Sequence, residues 1–211
     1  MKITKFGHAC LLIEEKDARF LLDPGRYSEV PQDLAKLDAI LITHGHQDHL
    51  DVDSVVKLLE KSPNARIITN PEVVQILKER GIGAEILSDG EGVTIKSVTI
   101  SGFGTDHASV HSSMSAGKNV GFLIADRLFY PGDALTVPST VVEILALPMA
   151  SPWHKLSEAF DYLDQIKPKI VIPVHDGFIK EPSLFDRIVG MQAEQKGYKF
   201  IGLEYNKSVE V

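Results

Sequence analysis

Cysteine is almost missing from these 211 residues, Cys10 being the only one. A single thiol closes no internal disulfide and builds no thiolate metal cluster. With Leu11, Leu12 and Ile13 beside it, Cys10 reads as a buried structural thiol suited to a reducing cytosol. Long apolar runs are lacking too. No stretch approaches the ~20 residues that cross a bilayer, and "MKITKFGHACLLIEEKDARF" has no uninterrupted apolar region of a leader, so the chain reads as cytoplasmic, with no membrane partner. Nor is there a basic block: 22 Lys+Arg stand against 29 Asp+Glu, a formal net charge of -7. A phosphate backbone finds no cationic stripe here, which speaks against nucleic acid as a partner. Linkers rich in Gly, Ser or Pro and low-complexity tracts are absent as well. Residues 1–211 therefore read as one domain, with a hydrophobic content of 44% sufficient for a full core.

What the chain does have is periodicity. The first 23 residues read as two short strands with a turn at Glu15 to Asp17, stopped by Pro24 and Gly25 of "FLLDPG". "LDAILIT" reads as a buried strand, and "LDVDSVVKLLEKS" as a helix with Val52, Val55, Val56 and Leu59 on one face. "ARIIT" and "PEVVQILKERG" form a further strand and helix, the helix with Pro71 at its start and Gly81 at its end. Glu85 to Ser101 alternates as strands. The second half then repeats the plan: "LFYPGDAL" parallels "FLLDPG", and "VVEILALPMASPWHKLSEAFDYLDQIKPKIVIPVH" runs strand, loop, helix, strand. Two related halves predict an α/β fold in which two sheets pack face to face with helices outside each. The strand-end loops of both halves then meet at one edge.

The chemistry is concentrated in "THGHQDH", on the loop between a strand and a helix. In an extended segment residues two apart project to one side, roughly 6.6 Å apart at ~3.3 Å per residue, so His44 and His46 can pinch one cation. Asp48 and His49 follow where the chain bends into the helix and can serve a second cation about 3.5 to 4 Å away. Four ligands do not close two sites. "FYPGDAL" offers Asp133 and "VIPVHDG" offers His175, both at strand ends, Asp133 able to bridge through its two oxygens. A third histidine for the first cation comes from His107 or His111 in "GFGTDHASVHSS". His107 stands directly after the strand-ending glycines, whereas His111 suits the mouth of the site, as a proton carrier or substrate contact. Asp23 in "LLDPG" is a candidate to accept the far N–H of a ligand histidine. Trp153 and His154 in "SPWHK" lie where the second half repeats the His-rich loop. Trp153 suits a pocket wall, and His154 or Lys155 suits contact with an anionic substrate, capping and packing explaining them equally well. His8 in "FGHAC" faces the same edge and reads as structural.

"THGHQDH", "PGD" and "PVHD", preceded by "LLDPG", resemble the ordered signature of the metallo-β-lactamase superfamily across essentially the whole chain. The resemblance implies a four-layer αβ/βα sandwich and is strongest to the small hydrolases of the L-ascorbate-6-phosphate lactonase-like branch. It assigns His44, His46 and the third-motif histidine, here His107, to one metal, and Asp48, His49 and His175 to the other, with Asp133 bridging. It does not imply an antibiotic-degrading activity, since secreted lactamases carry signal peptides.

Together these readings predict a metal-dependent hydrolase with two divalent ions, zinc first, with manganese and iron as alternatives. A hydroxide bridging the ions, oriented by Asp48, would cleave an ester, lactone or phosphoester bond of a small molecule. The rival readings are a phosphodiesterase proper, a redox protein if iron occupies the site, and a non-catalytic metal-binding or sensor protein. Loops around Arg26 to Pro31, Ser109 to Lys118 and Pro138 to Lys155 would set specificity, and a homo-oligomer stays open.

Overall fold

Runs such as Ala39–Ile42 and Gly121–Ile124 are apolar at every position and buried at every position. A strand of this kind needs cover on both faces. In the computed structural model, which describes residues 1–211, such runs form the middle strands of two packed sheets.

The first half contributes β1 (Lys2–Lys5), β2 (Leu11–Glu15), β3 (Ala18–Leu22), β4 (Ala39–Ile42), α1 (Val52–Lys61), β5 (Arg66–Thr69), α2 (Pro71–Lys78) and β6 (Glu85–Ile86). The second half contributes β7 (Gly92–Ile95), β8 (Val98–Phe103), β9 (Gly121–Ile124), β10 (Leu128–Tyr130), β11 (Ile144–Pro148), α3 (Leu156–Ile166), β12 (Ile170–Val174), α4 (Pro182–Gln195) and β13 (Lys199–Phe200). The last strand, β14 (Lys207–Glu210), returns to pair with β1.

One sheet has the order β14-β1-β2-β3-β4-β5-β6 and the other β13-β12-β11-β10-β9-β8-β7. Along β14 to β6 the first three pairings are antiparallel and the last three parallel, and β7 to β13 repeats that pattern. The internal repeat read from "FLLDPG" and "LFYPGDAL" is thus real in three dimensions, with β3, β4, α1 and β5 answering to β10, β11, α3 and β12.

Side-chain alternation sorts the core into layers. Phe20 and Leu22 meet Phe122 and Ile124 between the sheets. Leu21 points the other way, to Val55 and Leu58 of α1 and Val73 and Leu77 of α2, while Leu123 and Phe129 pack under Tyr162 and Leu163 of α3 and Val189 of α4. Each fully covered Leu, Ile or Phe contributes roughly 1.5–3 kcal/mol. The result is the expected four-layer αβ/βα sandwich.

Some local expectations change. The first 23 residues hold three strands, because β1 gains partners on both sides, β2 and the distant β14. On α1 the buried positions are Val55 and Leu58, with Val52 and Leu59 partly buried beside them; Val56 lies off that stripe, as a 3.6-residue period requires. The second helix, α2, stops at Lys78, three residues before Gly81, whose φ of +70° closes the turn. No helix of the chain is long and apolar enough to cross a membrane.

Candidate metal centre

The apolar strands deliver polar residues to one edge. β4 ends in Thr43 and the loop that carries His44, His46, Asp48 and His49, and Asp51 then caps α1 by accepting from the Ser54 amide at 3.2 Å. β10 ends in the Pro131–Gly132 turn before Asp133. Gly132 has φ +65°, and a β-carbon there would fall 2.3 Å from Asn119 Oδ1 and 2.7 Å from Thr43 Cβ, so only glycine lets the Asp133 turn lie against the His-loop strand. β12 ends in His175, itself left-handed at φ +59° and held by its amide bond to His8 O at 2.7 Å.

Three groups of donor atoms form at this edge, each with its atoms within 4.8 Å of one another: His44, His46 and His107; His44, His49 and Asp133; His8, Asp48, His49 and His175. Asp133 spans them. Its Oδ1 lies 3.1 Å from His49 Nε2, and its Oδ2 lies 3.1 Å from His175 Nε2 and 3.4 Å from His107 Nε2. All seven residues expected as ligands are therefore gathered at this edge, His107 lying beside His44 and His46. His111 is exposed and hydrogen-bonded to Ser113 within its own loop, outside every group.

The ring nitrogens of four histidines are divided in one consistent way. Nδ1 of His107 faces Ala108 O at 2.6 Å, and Nδ1 of His175 faces Ala150 O at 2.6 Å. A carbonyl only accepts, so both Nδ1 atoms carry the proton. His49 Nδ1 lies 2.7 Å from Asp23 Oδ2, and Asp23 also accepts from the Thr43 amide and hydroxyl at 2.8 and 2.7 Å. Because Thr43 gives its hydroxyl proton to Asp23, its oxygen accepts from His44 Nδ1, 3.0 Å away. Asp23 thus orients His49 directly and His44 through Thr43.

The opposite nitrogens are left over. Nε2 of His44, His49, His107 and His175, and Oδ1 of Asp133, are buried without a hydrogen-bond partner. Nε2 of His49 and of His175 each stand 3.1 Å from an Asp133 oxygen without forming a hydrogen bond to it. Leaving a buried polar atom unpaired costs about 1–3 kcal/mol. Five such atoms facing one another form a donor set that fits divalent cations, with imidazole nitrogens and carboxylates in the types zinc, manganese and iron accept.

Electrostatics agree with the geometry. Burial and then the neighbouring His49 hold His44 well below its ordinary value, and burial followed by His107 lowers His46. Burial alone would raise Asp133 and Asp48, but the histidines around each outweigh it and hold both carboxylates well below their usual range. For His49 and His175 burial acts downward, yet the adjoining carboxylates win; His49 is raised well above its ordinary value and His175 to about 9.

Two residues take roles that sequence reading did not assign. Trp153 donates its indole N–H to Asp133 Oδ2 at 2.8 Å, and His154 stacks on its ring. His8, expected to be structural, lies 3.2 Å from Asp48 Oδ2. The only signal for either was its position at the shared edge. Lys155 immediately precedes α3 and caps it, its amide donating to Glu158 at 2.6 Å.

The β-lactamase superfamily domain profile matches residues 2–175. This chain belongs to the metallo-β-lactamase superfamily. It is 38% identical over 184 residues to Protein Rv0786c of Mycobacterium tuberculosis, covering 85% of each chain. It is 30% identical over 187 residues to the UPF0173 metal-dependent hydrolase MJ1163 of Methanocaldococcus jannaschii, covering 82% of this chain and 83% of that one. Among solved structures its fold is similar to that of Igni18, a metallo hydrolase of Ignicoccus hospitalis, with a TM-score of 0.78 and 19% identity over 99% of this chain and 97% of the other.

Proposed function

We propose that this metal-dependent hydrolase of the metallo-β-lactamase superfamily holds two divalent cations and cleaves an ester, lactone or phosphoester bond in a small molecule. His44, His46 and His107 would hold one cation, Asp48, His49 and His175 the other, and Asp133 would bridge them. The observation that carries this reading is the position of Asp133, whose two oxygens face Nε2 atoms of both sets. Bound there, a cation pair supplies a water acidified from ~15.7 towards about 7 and a Lewis acid for the oxyanion that develops on the substrate.

The chain's own residues do the rest. Asp48 is the less buried of the two carboxylates, so it can accept a hydrogen bond from the attacking water and orient it. Asp23 and the backbone carbonyls of Ala108 and Ala150 keep four imidazoles turned inward throughout. Tyr27 and Phe178, half-exposed and edge to face at 5.3 Å beside His8 and His175, form an apolar wall suited to a carbon-rich part of the substrate.

The test is a hydrolysis screen of chromogenic lactones, carboxylic esters and phosphodiesters with zinc-, manganese- and iron-loaded protein. The expected result is turnover in one class, abolished by chelation and restored by metal. Turnover that survives complete chelation, or none in any class with loaded protein, overturns the proposal.

A further inference from the structure

His8 stands in the same four-residue group as Asp48, His49 and His175. By proximity alone it is a further nitrogen ligand. Its hydrogen bonds say otherwise. The Gly177 amide lies 2.8 Å from His8 Nδ1 and donates to it, so that nitrogen is the acceptor and bears no proton. A neutral imidazole then carries its one proton on Nε2, which faces Asp48 Oδ2 at 3.2 Å. Its one lone pair is already engaged by the Gly177 amide and none is left for a cation, the reverse of His44, His49, His107 and His175.

We propose that His8 is a positioning residue, a fixed N–H donor that holds Asp48 in place and takes no metal itself. This rests on the two-cation reading for what Asp48 does, though not for the state of the His8 ring. His8 occupies one side of Asp48 Oδ2, while Nε2 of His175 and His49 stand 3.5 and 3.8 Å from the same oxygen. Asp48 is the carboxylate of the centre nearer to solvent, the one most in need of an anchor.

The anchor is itself held by buried contacts. Lys5 is fully buried and bonds Pro173 O at 2.9 Å and Asp176 Oδ2 at 2.5 Å, and Tyr205 donates to Asp176 Oδ1 at 3.1 Å. Fixing Asp176 fixes the next amide, that of Gly177. This residue must be glycine, because a β-carbon would lie 2.9 Å from His8 Nδ1 and 3.1 Å from His8 Cγ. Lys5, Asp176, Gly177, His8 and Asp48 thus form one relay from the core to the site.

The experiment reads ring protonation directly, by long-range proton–nitrogen correlation NMR on protein labelled at histidine nitrogen, metal-stripped and zinc-loaded. His8 is expected to keep its proton on Nε2 in both forms, while the Nε2 signals of His44, His49, His107 and His175 change on loading. A proton on His8 Nδ1, or an unprotonated Nε2 that shifts with zinc, overturns the proposal. In zinc titrations His8→Ala is expected to keep the wild-type number of sites at saturation but to weaken one of them by about 10–100-fold, with His8→Gln restoring most of it and Gly177→Ala imitating the loss. A site missing at saturation, or unchanged affinity in His8→Ala, also overturns it. Wild-type protein that saturates with one zinc would instead count against the two-cation reading, and the ring signals would still decide the state of His8.

Discussion

The indole N–H of Trp153 donates to Asp133 Oδ2 across 2.8 Å, tying the loop between β11 and α3 to the carboxylate that touches both donor sets. Trp153→Phe keeps an aromatic side chain, though a smaller one, and removes the donor. The expected outcome is an unchanged melting temperature with metal affinity lowered by about 10–100-fold, read by competition with a chromogenic chelator. Unchanged affinity would mean that the bond is incidental.

Asp23 accepts three hydrogen bonds and is fully buried. Asp23→Asn puts an amide N–H where either His49 Nδ1 or Thr43 now donates. The mismatch either turns the His49 ring or leaves a donor unpaired, at about 1–3 kcal/mol. Thermal denaturation of the metal-stripped variant should show a loss in that range, and zinc titration a weaker site.

The choice between His107 and His111 has a simple readout. His107→Ala should remove bound metal as measured by elemental analysis, because its Nε2 belongs to the His44 and His46 set. His111→Ala should leave metal content at the wild-type level, since that ring is bonded to Ser113 at the surface. The reverse pattern would reassign the ligand.

Burial acts downward on His175, but the carboxylates of Asp133 and Asp48 outweigh it and raise His175 to about 9, so it is expected to carry a proton at pH 7 in metal-stripped protein. A cation at its Nε2 must displace that proton, so zinc addition to weakly buffered protein at pH 7 should release acid. Apparent affinity should rise with pH towards about 9 and then flatten as far as this group is concerned. For the stripped fold the sign is opposite. The raised value stabilises it fully below the ordinary 6.5, and that share is lost as pH rises through about 9. Zinc uptake with no proton release at pH 7 would contradict this.

Cys10 is fully buried, and its thiol is pushed far up by burial and then by the charge of Asp23. A thiol reagent should find no reactive group in native protein and one per chain in denaturant. Rapid native labelling would show that the first sheet opens.

Much of this architecture was legible in the sequence because its signals are local. The apolar density of Ala39–Ile42 marks a strand, Asp51 and its following valines mark a helix start, and the ligands between them share one short loop. Asp133 and His175 were readable as strand-end residues for the same reason. His8 was not. Its role depends on Gly177, 169 positions away, and Asp48, 40 positions away, and no periodicity encodes such a meeting. Trp153 likewise needs the fold to bring it to Asp133. β14 and its pairing with β1 are closures of the same long-range kind, and the modest amphipathic pattern of α4 marks it far less clearly than α1.

If Asp133 joins two cations, elemental analysis of wild-type and Asp133→Ala protein saturated with zinc and freed of excess will read out the difference. Two zinc ions per wild-type chain are expected, with both sites lost or severely weakened in the variant. A single zinc in the wild type, or two that remain firmly bound without Asp133, would contradict it.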